Sequence, residues 1–112
     1  RFLGKRTLAS PAAAYLAYRC RVPVVPIFCL RTTDGDYRLQ ILPPVERPRT
    51  GSLRTDIQAF TQALMDTVEA AVRRHPEQWF WFHQRWKRTY PDLYPGYRTR
   101  RRRRRRRKAR RS

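Results

Sequence analysis

The sequence predicts an α/β fold in which a strand, a helix, two hairpin strands and a long helix follow one another, with a charged tail behind them. Three observations carry this. Val22-Pro23-Val24-Val25-Pro26-Ile27-Phe28-Cys29-Leu30 is a continuous apolar, largely β-branched run, the pattern of a strand covered on both faces. Asp34-Gly35 is a hairpin turn signal, and it precedes a stretch in which Tyr37, Leu39 and Ile41 alternate with Arg38, Gln40 and Leu42. Leu53, Ile57, Phe60, Leu64, Val68 and Val72 recur at three- and four-residue steps, the stripe of an amphipathic helix. Helix and strand patterns that alternate along the chain imply part of an α/β sandwich.

Taken in order, residues 1–4 read as the end of a strand stopped by Gly4. Ser10-Pro11 opens a helix, with Ser10 as cap and Pro11 in the first helical position. The helix runs from Ala12 to about Arg19, and Arg19 and Arg21 suit its C-terminal dipole. The apolar run then begins irregularly, because Pro23 and Pro26 have no N–H to give a ladder and imply an edge or bulge. Pro43-Pro44 to Gly51 is a connection. The long helix, about five turns, takes Ser52 or Thr50 as cap. It ends at His75, because Pro76 disfavours helical geometry in the residue before it. Pro76 opens a second short helix with Glu77 in its first turn. Tyr90 to Gly96, with two prolines, leads out in extended form.

Charge divides the chain in two. Of a formal net charge of +19, residues 98–112 supply twelve positive charges from eleven arginines and Lys108, leaving +7 for residues 1–97. Residues 1–97 are therefore expected to fold and residues 98–112 to form a disordered Arg-rich tail, since a block of like charges repels itself. Such a tail suits an anionic membrane surface or nucleic acid equally. Cys20 and Cys29 are too few for a disulfide framework and wrongly spaced for zinc, so half-buried reduced thiols are expected. No apolar run approaches a membrane-spanning length, and no signal peptide is visible. The chain opens on Arg1 in a strand-like segment, which reads as a sequence whose beginning lies upstream.

The densest chemistry lies in His75-Pro76-Glu77-Gln78-Trp79-Phe80-Trp81-Phe82-His83-Gln84-Arg85-Trp86-Lys87. Rings and cations side by side make a surface that is greasy on one side and basic on the other. On a helix, His83 would share a face with Trp79 and Lys87. Arg85 suits bidentate phosphate recognition and Lys87 adds a point charge; for both, a solvated face is the plain alternative. Arg31 ends the apolar strand, where open sheets bind ligands, or else pairs with Asp34 or Asp36. His75 and Glu77 fit a structural role at the helix boundary. Activating a hydroxyl needs a histidine held by a carboxylate. No phosphate-cradling glycine loop or metal motif is visible, and no cofactor is expected.

The chain resembles the bacterial lipid A biosynthesis acyltransferases, lauroyl/myristoyl type, in their C-terminal portion. Phe2-Leu3-Gly4 with Thr7 and Pro11-Ala12, the block from Leu16-Ala17 through Val22–Phe28 to Arg31, and the HPEQW segment carry the likeness, which spans residues 1 to about 88. Ser10 stands where the family has glycine, and Gln84 where it has the first arginine of a His-Arg-Arg triplet. The resemblance implies a glycerolipid-acyltransferase-like α/β sandwich with a long packing helix. It implies transfer of a fatty acyl chain from an acyl carrier protein thioester to a hydroxyl of a lipid A precursor at the cytoplasmic face of the inner membrane. It implies a catalytic pair spelled His-x-x-x-x-Asp or Glu; Phe80 and Arg88 stand five residues after His75 and His83, so the dyad is expected upstream. Arg31, His83, Arg85 and Lys87 would position phosphate or headgroup, and His75, Glu77 and Trp79 would order the motif. Two alternatives stand beside it: a small basic nucleic-acid-binding protein, read from the tail and the aromatics, and a catalytically inactive fragment of the family.

Overall fold

A computed structural model describes residues 1–94, 96 and 97. The order is α1 (Ala12–Cys20), β1 (Ile27–Arg31), β2 (Tyr37–Ile41) and α2 (Leu53–Arg74), followed by single 3-10 turns at Pro76–Gln78 and Pro91–Leu93. The chain is thus a small mixed α/β fold. The basic tail expected to be disordered lies outside the described residues.

α1 begins one residue later than expected: Pro11 stands at the cap rather than in the first helical position, and Ser10 is not the cap residue. The Ala12 N–H donates to Ser10 Oγ at 3.3 Å, and Pro11 C=O accepts from the Tyr15 N–H at 2.8 Å. The helix stops at Arg21, which takes a left-handed φ of 55°. Ala14 and Ala17 are buried and small enough to let α2 approach, and the fully buried Phe60 fills the contact. Tyr18 meets Phe60 edge-on at 6.0 Å between centroids. The connection before α2 is clipped to this corner: the Tyr18 hydroxyl donates to Pro48 C=O, and Arg47 donates to Ala17 C=O at 2.7 Å.

α2 spans 22 residues; of the expected stripe Phe60 and Val72 are buried, Ile57, Leu64 and Val68 are half-buried, and Leu53 at its start is exposed. Its N-terminus is held differently from expectation. Ser52 stands at the cap but makes no side-chain cap bond. Instead, the buried Asp56 accepts from the Thr50 N–H at 2.9 Å and from Thr50 Oγ1 at 2.7 Å. The far end closes as Pro76 dictates: His75 leaves helical geometry (φ −134°, ψ 60°) while its N–H still donates to Ala71 C=O.

β1 and β2 pair antiparallel with Ile27 opposite Ile41, Cys29 opposite Leu39 and Arg31 opposite Tyr37. The loop between them closes through Thr32 N–H to Asp36 C=O at 2.8 Å, with Gly35 at φ 91° supplying the turn. The irregular start expected from Pro23 and Pro26 holds, and two other expectations fail. Regular pairing begins only at Ile27, because two prolines interrupt the run; Val24 and Pro26 still accept single bonds from Val45 and Leu42. The strand is not covered on both faces: Phe28 and Leu30 are half-buried while Ile27, Cys29 and Arg31 are exposed. Tyr37, Leu39 and Ile41 share that open face. The physical reason is that the inner face only borders a cavity shared by Phe28 and Leu30 with Val68, Ala71 and Val72 of α2, while among the described residues the face of Ile27, Leu39 and Ile41 is open to solvent. Both cysteines are free, and they are exposed rather than half-buried.

The N-terminal segment is a tight turn and not a strand end. Phe2 and Lys5 exchange backbone hydrogen bonds at 2.9 and 3.1 Å, with Leu3 at φ 48° and Gly4 at φ 74°. A left-handed leucine costs on the order of 1 kcal/mol. Its N–H is held by Glu69 Oε2 at 2.7 Å, which ties the turn to α2 and drives the Phe2 ring inward.

Candidate functional site

Beyond His75 the chain does not become a second α-helix. The 3-10 turn at Pro76–Gln78 is followed by single turns: Trp81 N–H to Trp79 C=O, His83 N–H to Phe80 C=O, Arg85 N–H to His83 C=O and Lys87 N–H to Gln84 C=O. His83 therefore does not share a helical face with Trp79 and Lys87. Tertiary packing overrides local preference here. The fully buried Phe2 takes Trp79 at 5.7 Å and Trp86 at 6.1 Å, while the single turns between them leave Phe80, Trp81 and Phe82 exposed. The Tyr90–Gly96 lead-out is likewise not extended throughout, because Pro91–Leu93 is a 3-10 turn.

Arg85 is part of this aromatic cluster. Its guanidinium lies 4.4 Å from the centre of the Phe2 ring, and Nη2 contacts Met65 Sδ at 3.1 Å. Burial lowers its pKa from the ordinary value. Arg85 Nε and Trp86 Nε1 are buried without a hydrogen-bond partner. Buried donors left open cost free energy, so the cluster carries unused hydrogen-bonding capacity beside a cation.

Next to it is an open cleft of about 610 Å³ lined by Leu8, Ala9, Ser10, His83, Gln84, Arg85, Lys87 and Arg88. Three of the four residues expected to position a headgroup meet there. The fourth, Arg31, does not: it stands at the end of β1, and its backbone is gripped by the Gln78 side chain. Gln78 Oε1 accepts from the Arg31 N–H at 2.8 Å and Nε2 donates to Arg31 C=O at 3.0 Å, the pairing a neighbouring strand would offer. The cleft contains no carboxylate, and the Thr7 hydroxyl fastens its two walls by donating to Arg85 C=O at 3.2 Å. Cations converging without an acid, beside open N–H donors, make a place suited to an anion.

The three motif residues lie at the edge of this arrangement. His75 Nδ1 stands 3.7 Å from Glu77 Oε1, Trp79 leans on Phe2, and the Trp81 indole N–H donates to Pro76 C=O at 2.7 Å. Sequence reasoning missed Arg88, whose place in the cleft follows from the turn at Gln84–Lys87, and Gln78, whose role needs the position of β1. The HPEQ spelling flagged Gln78 but gave no reason for it. Among the described residues no three His, Cys, Asp or Glu side chains gather, and no helix is long and apolar enough to cross a membrane.

The family model of the bacterial lipid A biosynthesis acyltransferases matches residues 1–88, from the Phe2 turn to the last cation of the cleft. The chain belongs to this family. Membership brings acyl transfer in lipid A biosynthesis, with an acyl donor and a lipid A-type acceptor. Comparison with curated proteins and with solved structures gives no match. The matched stretch holds every residue of the cleft and of the aromatic cluster, so the basic cleft is a feature of the acyltransferase part and not of the Arg-rich tail.

Proposed function

We propose that this chain binds the phosphorylated glycolipid acceptor of an acyltransferase that moves a fatty acyl chain from an acyl carrier protein thioester to a hydroxyl of a lipid A precursor, at the cytoplasmic face of the inner membrane. The carboxylate-free cleft formed by His83, Arg85, Lys87 and Arg88 carries the reading. An acceptor phosphate would meet Lys87 and Arg88 as charges and His83 as a donor. Arg85, held on the Phe2 ring, offers a directed guanidinium. The helices and hairpin form the later part of a glycerolipid-acyltransferase-like sandwich. Proton abstraction from the acceptor hydroxyl falls to a histidine–acid dyad that residues 1–97 do not carry: neither histidine has an acid five residues on, and His75 meets Glu77 only at 3.7 Å on the surface.

Binding of a phosphorylated lipid A precursor tests the cleft directly. Lys87→Ala and Arg88→Ala should each weaken it by about tenfold, the worth of a charge-assisted contact, while the dephosphorylated glycolipid should bind the unmodified chain as weakly as the variants bind the phosphorylated one. Equal affinity for the two glycolipids would remove the phosphate reading. In acyl transfer from acyl carrier protein, an unchanged Michaelis constant for the acceptor in Arg85→Ala would remove Arg85 from the role. The nucleic-acid reading rests on the tail and predicts oligonucleotide affinity that falls steeply with salt and ignores Lys87 and Arg88.

A further inference from the structure

The aromatic segment divides sharply by exposure. Trp79 and Trp86 turn inward onto Phe2. Phe80, Trp81 and Phe82 turn outward, 69%, 51% and 88% exposed. Three consecutive large rings in water are expensive to leave there, and this segment holds them in place. The Trp81 indole is fixed by its bond to Pro76 C=O, His83 N–H closes a turn onto Phe80 C=O at 3.1 Å, and the Phe80 and Phe82 rings lie against each other at 5.9 Å between centroids. The result is a short apolar prow on a hydrogen-bonded turn.

Its surroundings are cationic. Residues 73–91 hold Arg73, Arg74, Arg85, Lys87 and Arg88 against one carboxylate, Glu77. Arg73 is spoken for by Glu69 at 2.7 Å, whereas Arg74, Arg88 and His83 are exposed. Exposed rings at the tip with cations behind them are the arrangement that enters the headgroup region of an anionic bilayer: rings replace water among the upper acyl chains and cations remain with the phosphates. A protein partner would be expected to present carboxylates to such a rim. A nucleic acid would stack successive bases on parallel ring faces, whereas the planes of Phe80 and Phe82 are tilted by 50° to one another.

We infer that Phe80-Trp81-Phe82 is a membrane-inserting wedge that seats the basic cleft at the surface of an anionic bilayer. This deepens the acyltransferase reading by naming the surface through which the site meets its lipid, and it rests on that reading only for the identity of the acceptor. The wedge neighbours the cleft in sequence, since His83 ends the turn begun by Phe80. Insertion would therefore hold the cleft at the depth of lipid phosphates.

The experiment uses the whole chain and vesicles of phosphatidylcholine with or without phosphatidylglycerol, with no acceptor glycolipid present, so a failed acyltransferase reading and a failed wedge are distinguishable. Binding is followed by flotation and by tryptophan emission, and the Arg-rich tail is the same in every protein compared. The unmodified chain should bind anionic vesicles with a blue shift and with quenching by lipids brominated on the upper acyl chain. Phe80→Ser with Phe82→Ser should bind about tenfold or more weakly and lose the shift. Trp81→Phe should keep the affinity and lose most of the quenching, which assigns the buried indole to the wedge even if the double variant fails to fold. Equal binding and an equal fraction of emission quenched in all three proteins would overturn the wedge and leave vesicle binding to the tail. Absence of quenching with retained oligonucleotide binding would equally overturn it in favour of a nucleic-acid surface.

Discussion

The two ends of α2 are built on different principles. At the N-terminal end, Ala14 and Ala17 of α1 close on Phe60, Tyr18 stands edge-on to the same ring, and Asp56 accepts two hydrogen bonds from Thr50. Every buried group there is packed or paired. At the C-terminal end, Phe2 is surrounded by Trp79, Trp86 and the Arg85 guanidinium, two buried donors stay open, and three rings face water. The first end holds the fold together. The second holds reactive surface in a set position, and open donors and exposed rings are what that costs.

Phe60→Ala should separate the two ends most strongly, lowering stability by about 3–5 kcal/mol, the range for a fully buried phenylalanine, as measured by denaturant unfolding. Phe2→Ala should cost about 3 kcal/mol on the same scale but act locally. Its signature is a change in the emission of Trp79 and Trp86 and a weaker grip on acceptor phosphate, with α1 and the start of α2 unaffected in hydrogen exchange. If Phe2→Ala loosened α1 as much as Phe60→Ala does, the two ends would form one cooperative unit.

The first end could be read from the sequence. Apolar residues at three- and four-residue steps fix which side of α2 is buried whatever it packs on, and Ser10-Pro11 marks the start of α1 to within a residue. At the second end His75-Pro76 marks where α2 stops, and the rest could be read only as composition. The sequence shows rings and cations together, and the likeness to a family gives them a purpose. Which rings turn inward, however, depends on Phe2, more than seventy residues away, and a helix drawn through Trp79, His83 and Lys87 is broken by the single turns from Trp79 to Lys87. The sheet was misread for a related cause. A continuous apolar run implies two covered faces, but the layer that would cover Ile27, Cys29, Leu39 and Ile41 is absent among the described residues.

Two smaller effects sharpen the comparison. Gln78→Ala should cost about 1 kcal/mol for two lost hydrogen bonds at an exposed site and should speed exchange of the Arg31 amide without affecting Leu30. Equal protection in both proteins would mean that Gln78 does not hold β1 in solution. The smallest effect is electrostatic. The Leu3 N–H, then Arg73, lower the pKa of Glu69 below its ordinary carboxylate value. Because the folded pKa is the lower one, the contribution is complete above the ordinary value and is lost as pH falls through the depressed one. A melting curve followed from neutral pH into the acid range should therefore decline less steeply in Glu69→Gln than in the unmodified chain.

The Gln78 amide also sets a limit on growth. In β1 the even-numbered residues bond to β2, as Thr32 N–H to Asp36 C=O and Leu42 N–H to Pro26 C=O show, so Ile27, Cys29 and Arg31 direct their backbone groups outward. By occupying both groups of Arg31, one glutamine side chain acts as a strand a single residue long. Any further strand laid along this margin must stop short of it and pair through Ile27 and Cys29 alone. Gln78 is thus a doorstop at one end of an unfinished sheet, fixing how far a neighbour can slide before its register is decided.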